Sequence, residues 1–195
     1  MNRISLVPAF VGLFGLMLLH SCGDAPLSCG GSDTGNAKVA GTLVTTEGAP
    51  AAYATVTMIS SSYVPSASAG SVLFSTTTDE NGVYFFDELP KGFYSVHGEH
   101  GKTRSYLDSV FVYDRKAKTV IPEDTLRETG SLTGVIRLRH SGDPRGILIL
   151  VLGTQYLTTP RDSLGVFTLS GLAPGMYRVR ILSTAQNYRV IDTIF

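Results

Sequence analysis

The sequence predicts an all-β protein of two tandem β-sandwiches, on three observations. From residue 38 onward, short runs rich in Val, Ile, Thr, Tyr and Phe are separated by Gly, Pro, Asp and Asn turns. No segment sustains the 3.6-residue period of an amphipathic helix. The same order of strands and turns then recurs once, at a nearly constant spacing.

The first 37 residues stand apart from that pattern. Arg3 supplies a short positive start, and Ile4 to Leu19 is an almost unbroken apolar run. The run falls short of the roughly 20 apolar residues that span a bilayer comfortably, and it ends at a small Ser21 before Cys22, as a secretory cleavage site would. Residues 1–21 are therefore expected to be a signal peptide. Residues 22–37, mostly Gly, Ser, Asp, Asn, Pro and Ala, hold too little apolar area to fold and are expected to form a flexible tether. Cys29 is the other cysteine of the chain, and it too lies in the tether, so no disulfide is expected in the folded part.

The strands follow in order. Val39 to Val44 alternates and turns at Glu47-Gly48-Ala49-Pro50; Ala54 to Ile59 places Val56 and Met58 on one face. Val72 to Thr77 leads into Asp79-Glu80-Asn81-Gly82, where Asp and Asn suit a tight turn and Gly82 supplies a positive φ. Val83 to Phe86, the corner Leu89-Pro90-Lys91-Gly92 and Tyr94-Ser95-Val96 complete the shared pattern. In the second copy Asp162, Gly165, Val166, Phe167, Leu169, Leu172, Gly175, Tyr177 and Val179 answer Asp79, Gly82, Val83, Tyr84, Phe86, Leu89, Gly92, Tyr94 and Val96 at an offset of 83. Leu132-Thr133-Gly134 answers Val39-Ala40-Gly41 at an offset of 93, and Ser60 to Ser71 reads as the loop that makes up the difference. The expected units are residues 38–126 and 130–195. Asp192 to Phe195 matches Asp108 to Phe111 at an offset of 84, and nothing answers residues 112–126, so the second sandwich is expected to be incomplete and the chain a fragment of a longer protein.

Two resemblances sharpen these expectations. Leu19-His20-Ser21-Cys22 resembles the lipobox of bacterial lipoproteins, with His20 where a small or β-branched residue is usual. It implies cleavage before Cys22 and acylation of Cys22, with membrane lipid as a partner. Gly23 replaces the aspartate associated with inner-membrane retention, which implies the outer membrane or the cell surface. The opening Val-x-Gly, Asp-x-x-Gly-x-Tyr-x-Phe and Leu-Pro-x-Gly-x-Tyr-x-Val together resemble the carboxypeptidase regulatory-like domains. That resemblance implies seven-stranded Greek-key sandwiches of the transthyretin-like kind, related in fold to starch-binding modules. It brings no zinc ligand and no catalytic glutamate to this chain.

Chemistry is sparse. Sixteen basic residues balance sixteen acidic ones, and removal of residues 1–21 takes away Arg3 alone, leaving a net charge of −1. No basic field is present to neutralise phosphates, so nucleic acid is not an expected partner. His97-Gly98-Glu99-His100 looks ligand-like, but residues three apart on a strand end face different ways and no third ligand converges on them. Asp79-Glu80-Asn81-Gly82 resembles the start of a calcium loop without its bidentate acid and reads as a turn. There is no Gly-x-Ser-x-Gly elbow and no His-Glu-x-x-His. The expected function is a non-enzymatic, membrane-anchored spacer or interaction module, without catalytic residues, metal or cofactor and with a protein partner. The alternative is a carbohydrate-binding module at the cell surface, for which Tyr53, Tyr63, Phe85 and Tyr106 are candidate exposed aromatics in a chain without tryptophan.

Overall fold

The computed structural model describes residues 39–65, 73–87, 89–113, 118–139, 142–183 and 188–195. The expected signal peptide, the tether, Cys22, Cys29 and part of the loop at 60–71 lie outside the described residues. Asp33–Phe195 forms one compact unit. Among the described residues no helix is long and apolar enough to cross a membrane.

The unit is all-β and holds two hydrophobic cores. In the first half, β1 (Val39–Val44) lies between β4 (Val83–Phe86), antiparallel to it, and two short parallel neighbours, β7 (Thr119–Val120) and β8 (Asp124–Thr125). The facing sheet runs β3 (Phe74–Thr77), β2 (Thr55–Ser60), β5 (Gly92–His100), β6 (Thr103–Val112), β9 (Arg127–Glu128). Residues 119–128 therefore pair first with one sheet and then with the other, closing the sandwich between them. Strand periodicity delivers Val39, Leu43, Val56, Met58, Tyr84, Phe86, Tyr94 and Val96 to the space between the sheets.

The second half repeats the plan with fewer strands. Strand β10 (Gly130–Val135) pairs with β13 (Val166–Leu172), as β1 pairs with β4. The facing sheet runs β12 (Leu157–Thr158), β11 (Ile147–Val151), β14 (Arg178–Ser183), β15 (Ile191–Ile194), the order of β3-β2-β5-β6. The shared turn is built identically. Leu43 donates its N–H to Gly82 O at 2.8 Å, and Ile136 donates to Gly165 O at 2.9 Å. One detail of the repeat is corrected. Tyr177 and Phe195 exchange backbone hydrogen bonds, whereas Tyr94 is paired with Val110, so Phe195 stands in the place of Val110 rather than of Phe111. The irregularity in β5–β6 pairing between Tyr94 and Val96, where Ser109 on β6 takes a φ of 60°, widens the shift by a further residue: Asp192 pairs with Arg180 as Tyr106 pairs with His97, so it answers Tyr106 rather than Asp108.

Candidate functional site

The richest concentration of polar side chains lies where the two halves meet. Alternation along β5 sends Tyr94 and Val96 into the first core and leaves Ser95 and His97 on the outer face. On β6 the same alternation leaves Arg104, Tyr106 and Asp108 on that face. The second half covers it with two loops, 152–156 and 173–177, and with the ends of β13 and β14. Ser95 is wholly buried, its hydroxyl donating to the carbonyl of Gly153 with the Ile59 carbonyl 3.3 Å away. His97 Nε2 stands 3.1 Å from Gly153 O and 3.0 Å from Ser95 Oγ. Burial holds the His97 imidazole below the ordinary histidine range, against the opposing pull of the Gly153 carbonyl.

Three further contacts cross the junction. Arg104 donates to Tyr156 Oη and to Gly171 O, both at 2.7 Å, and to Glu99 at 3.1 Å. Arg178 reaches back to Asp108 Oδ1 at 3.2 Å and to Ser61 O at 3.1 Å. Tyr106 stacks on Tyr177 with ring centroids 4.4 Å apart and planes 17° from parallel, and it belongs to the core of the second half. Tyr177 is fixed in turn by donating to Ala173 O at 2.7 Å, as its counterpart Tyr94 donates to Pro90 O at 2.9 Å. Beside these contacts a cavity of about 270 Å³ opens, lined by Thr57, His97, Glu99, Arg104, Gln155 and Tyr156 among others.

The junction has the residue types of a site but the bonding of a joint. Ser95 and His97 are within hydrogen-bond distance, yet the serine oxygen has no exposed surface and is committed to carbonyls, so it cannot meet a substrate. Each guanidinium is engaged with acceptors, although Arg178 Nε and Tyr106 Oη are buried without a partner. The ligand-like run His97 to His100 is dispersed: His97 enters the junction, Glu99 pairs with Arg104, and His100 is exposed. The Asp79 carboxylate accepts from the N–H groups of Asn81 and Val83 at 2.8 and 2.9 Å, which is the work of a turn.

The aromatics proposed for sugar contact separate. Tyr106 is 7% exposed, so its expected exposure is corrected: the second half packs over it. Tyr53 is exposed and donates to Glu80 at 3.1 Å; Tyr63 and Phe85 are half-buried, with the Lys118 ammonium over the Phe85 ring. An aromatic group that the strand pattern did not single out lies elsewhere. Phe93 and Phe111 are cross-strand partners 4.7 Å apart, with Tyr113 4.9 Å beyond Phe111. Its signal was present, since Phe93 and Phe111 both sit on the outward phase of β5 and β6.

No family model and no curated protein matches the chain. Among solved structures it is similar to a streptococcal ancillary pilin at 17% identity and a TM-score of 0.37, covering 84% of this chain and 60% of that one. It is also similar to a minor pilin of Streptococcus agalactiae at 15% identity and a TM-score of 0.31, over 80% and 89% of the two chains. A shaft pilin from Lactobacillus rhamnosus GG gives 14%, with a TM-score of 0.29 and coverage of 80% and 91%. The chain thus spans about three fifths of the length of the ancillary pilin. The likeness is one of all-β architecture.

Proposed function

We propose that this chain is an envelope lipoprotein, acylated at Cys22, whose paired β-sandwiches serve as a non-enzymatic spacer and interaction module on the outer membrane or cell surface. The observation that carries the reading is the use made of polar groups at the junction. Ser95, His97, Arg104 and Arg178 tie one half to the other. A body joined in this way transmits position, as a spacer must. Leu19-His20-Ser21-Cys22 supports the anchor, and the resemblance to carboxypeptidase regulatory-like domains supports an accessory role. In a bacterial host supplied with radiolabelled palmitate, the wild-type chain is expected to take up label and Cys22→Ser to remain unlabelled. A soluble, unlabelled wild type would end the lipoprotein reading.

One observation favours the carbohydrate alternative: Phe93 and Tyr113 are exposed on either side of Phe111, a file of rings of the kind on which sugars stack. A glycan array separates the readings. The spacer reading expects no retention, and retention that disappears in Phe93→Ala would replace it.

A further inference from the structure

The first sandwich has two unlike ends. At one of them β1 begins at Val39, β4 finishes at Phe86, β5 begins at Gly92, β6 finishes at Val112 and β7 begins at Thr119. The register sets Val39 beside both Phe86 and Thr119, and Gly92 beside Val112. The opposite end holds the turns at 45–50, 79–82 and 100–103. Exposed large hydrophobic side chains divide unequally between the two. Among the described residues of this half, Val64, Phe93, Tyr113 and Val120 belong to the Val39 end, and Tyr53 alone to the other.

Strand alternation explains the exposure. Phe93 and Phe111 are cross-strand partners on the outward phase of β5 and β6, while their neighbours Tyr94 and Val112 fill the core. Tyr113 stands edge-on to Phe111 at 4.9 Å. The Lys91 ammonium lies 6.0 Å over the Phe111 ring, and on the other sheet the Lys118 ammonium lies 5.9 Å over Phe85. Both lysines are exposed. Each outer face thus presents, at this end, an aromatic ring with a cation beside it, the pairing that suits a boundary between an apolar phase and water. The charge balance is mildly basic. Lys91 and Lys118 stand against Asp87 among the described residues, and the adjoining sequence adds Lys38, Arg115 and Lys116 against Glu88 and Asp114.

The chain that leads into this end says what lies near it. Cys22 precedes Val39 by 17 residues, a spacing over which a Gly-rich linker spans about 20–25 Å root-mean-square. Strand β6 is 10 residues long, or about 33 Å. A lipid held at Cys22 therefore keeps its bilayer within reach of the Val39 end, while the opposite end lies a strand's length further off.

We propose that this end of the first sandwich seats on the lipid surface to which Cys22 is anchored. Phe93, Phe111 and Tyr113 enter the headgroup layer, and Lys91 and Lys118 meet the phosphates of anionic lipids. The consequence is orientation: the turns at 79–82 and 100–103 face away from the membrane. A soluble glycan would use the same rings, but it gives no reason for the exposed apolar side chains to gather at the anchor's end. The inference rests on the lipoprotein reading and adds how the body stands on its membrane.

The chain holds no tryptophan, so a single indole reports its own surroundings. Phe93→Trp and, as the distal control, Tyr53→Trp are each made in the full acylated chain. Both are reconstituted in vesicles of phosphatidylethanolamine and phosphatidylglycerol with brominated acyl chains. Phe93→Trp is expected to show blue-shifted emission and a loss of intensity on brominated lipid, and Tyr53→Trp neither. Adding Lys91→Glu and Lys118→Glu to Phe93→Trp should abolish the shift and the quenching, while the chain still sediments with the vesicles through its acyl group. Emission from Phe93→Trp that ignores brominated lipid, equal quenching of both probes, quenching that survives the double charge reversal, or glycan retention lost in Phe93→Ala would each overturn the proposal. A chain that takes up no palmitate ends the anchor and this inference together. A labelled chain whose Phe93→Trp probe stays unquenched ends this inference alone.

Discussion

Gly82 and Gly165 occupy the same place in the two halves, with φ of 73° and 78°. A Cβ on either would press into a backbone carbonyl of the neighbouring strand, that of Leu43 or Ile136. Gly48 has a similar φ of 79° and open space around it. The three therefore separate conformational strain from crowding. Gly48→Ala is expected to cost about 1 kcal/mol, and Gly82→Ala roughly 3 kcal/mol or more, because strain and overpacking act together. Urea unfolding of the two variants checks the difference, and equal losses would show that the carbonyl contact yields. His97 gives a pH dependence whose sign follows from burial. Its folded-state pKa is lowered, so as pH falls through about 6.5 the unfolded chain takes up a proton that the folded chain refuses. Stability is thus lost in the window that opens as pH falls through about 6.5, and is unaffected well above it. The facing charges Arg104 and Asp108 oppose each other, the arginine lowering and the aspartate raising the histidine. In His97→Gln the fall in urea midpoint over this window should largely disappear; an unchanged fall would assign it to another group.

At the scale of elements, the closing segment 119–126 decides how well each core is sealed. Leu43 is 1% exposed beneath it, while its counterpart Ile136, with no such segment beside it among the described residues, is only partly buried. Leu43→Ala is expected to cost about 2–5 kcal/mol and Ile136→Ala about 1–2 kcal/mol, since less apolar area leaves water there. Equal losses in urea would mean that the second core is sealed in solution. These elements were largely legible in the sequence: alternation marks one buried face, and Asp79 with Gly82 marks a turn of a single geometry. What escaped was the second burial of β5 and β6. Nothing in the sequence around Ser95, His97, Arg104 and Asp108 announces it, because local periodicity records which side of a strand meets its own core and carries no mark of a distant loop such as 152–156. The offset of 84 for the last strand departs from the pairing by one residue at Phe195 and by two at Asp192, and the second of these is the bulge at Ser109, a serine at positive φ that leaves no compositional trace where glycine would have announced it.

For the whole molecule the consequence lies in Tyr106, a residue of the first half that is part of the second half's core. It sits on β6, stacks on Tyr177 and packs with Ile147, Ile149, Val151, Phe167 and Val179 as one cluster. The second half, with sheets of two and four strands among the described residues, is thus completed by a side chain from its neighbour. Around it, Arg104 and Arg178 cross the junction in opposite directions, one from each half. The two sandwiches should therefore melt as one cooperative unit in calorimetry. Tyr106→Ala removes the shared side chain, and the expected cost is about 3–5 kcal/mol, the range for deleting a large aromatic from a core. That loss should fall on the second half, so the single transition should split, with residues 130–195 unfolding first. Tyr106→Phe is the control. The Tyr106 hydroxyl is buried without a partner, so its removal should leave stability nearly unchanged or slightly raised and the transition single. A wild type that already melts in two steps, or a Tyr106→Ala variant that loses stability while still melting in one, would show that the halves are joined by something other than this ring.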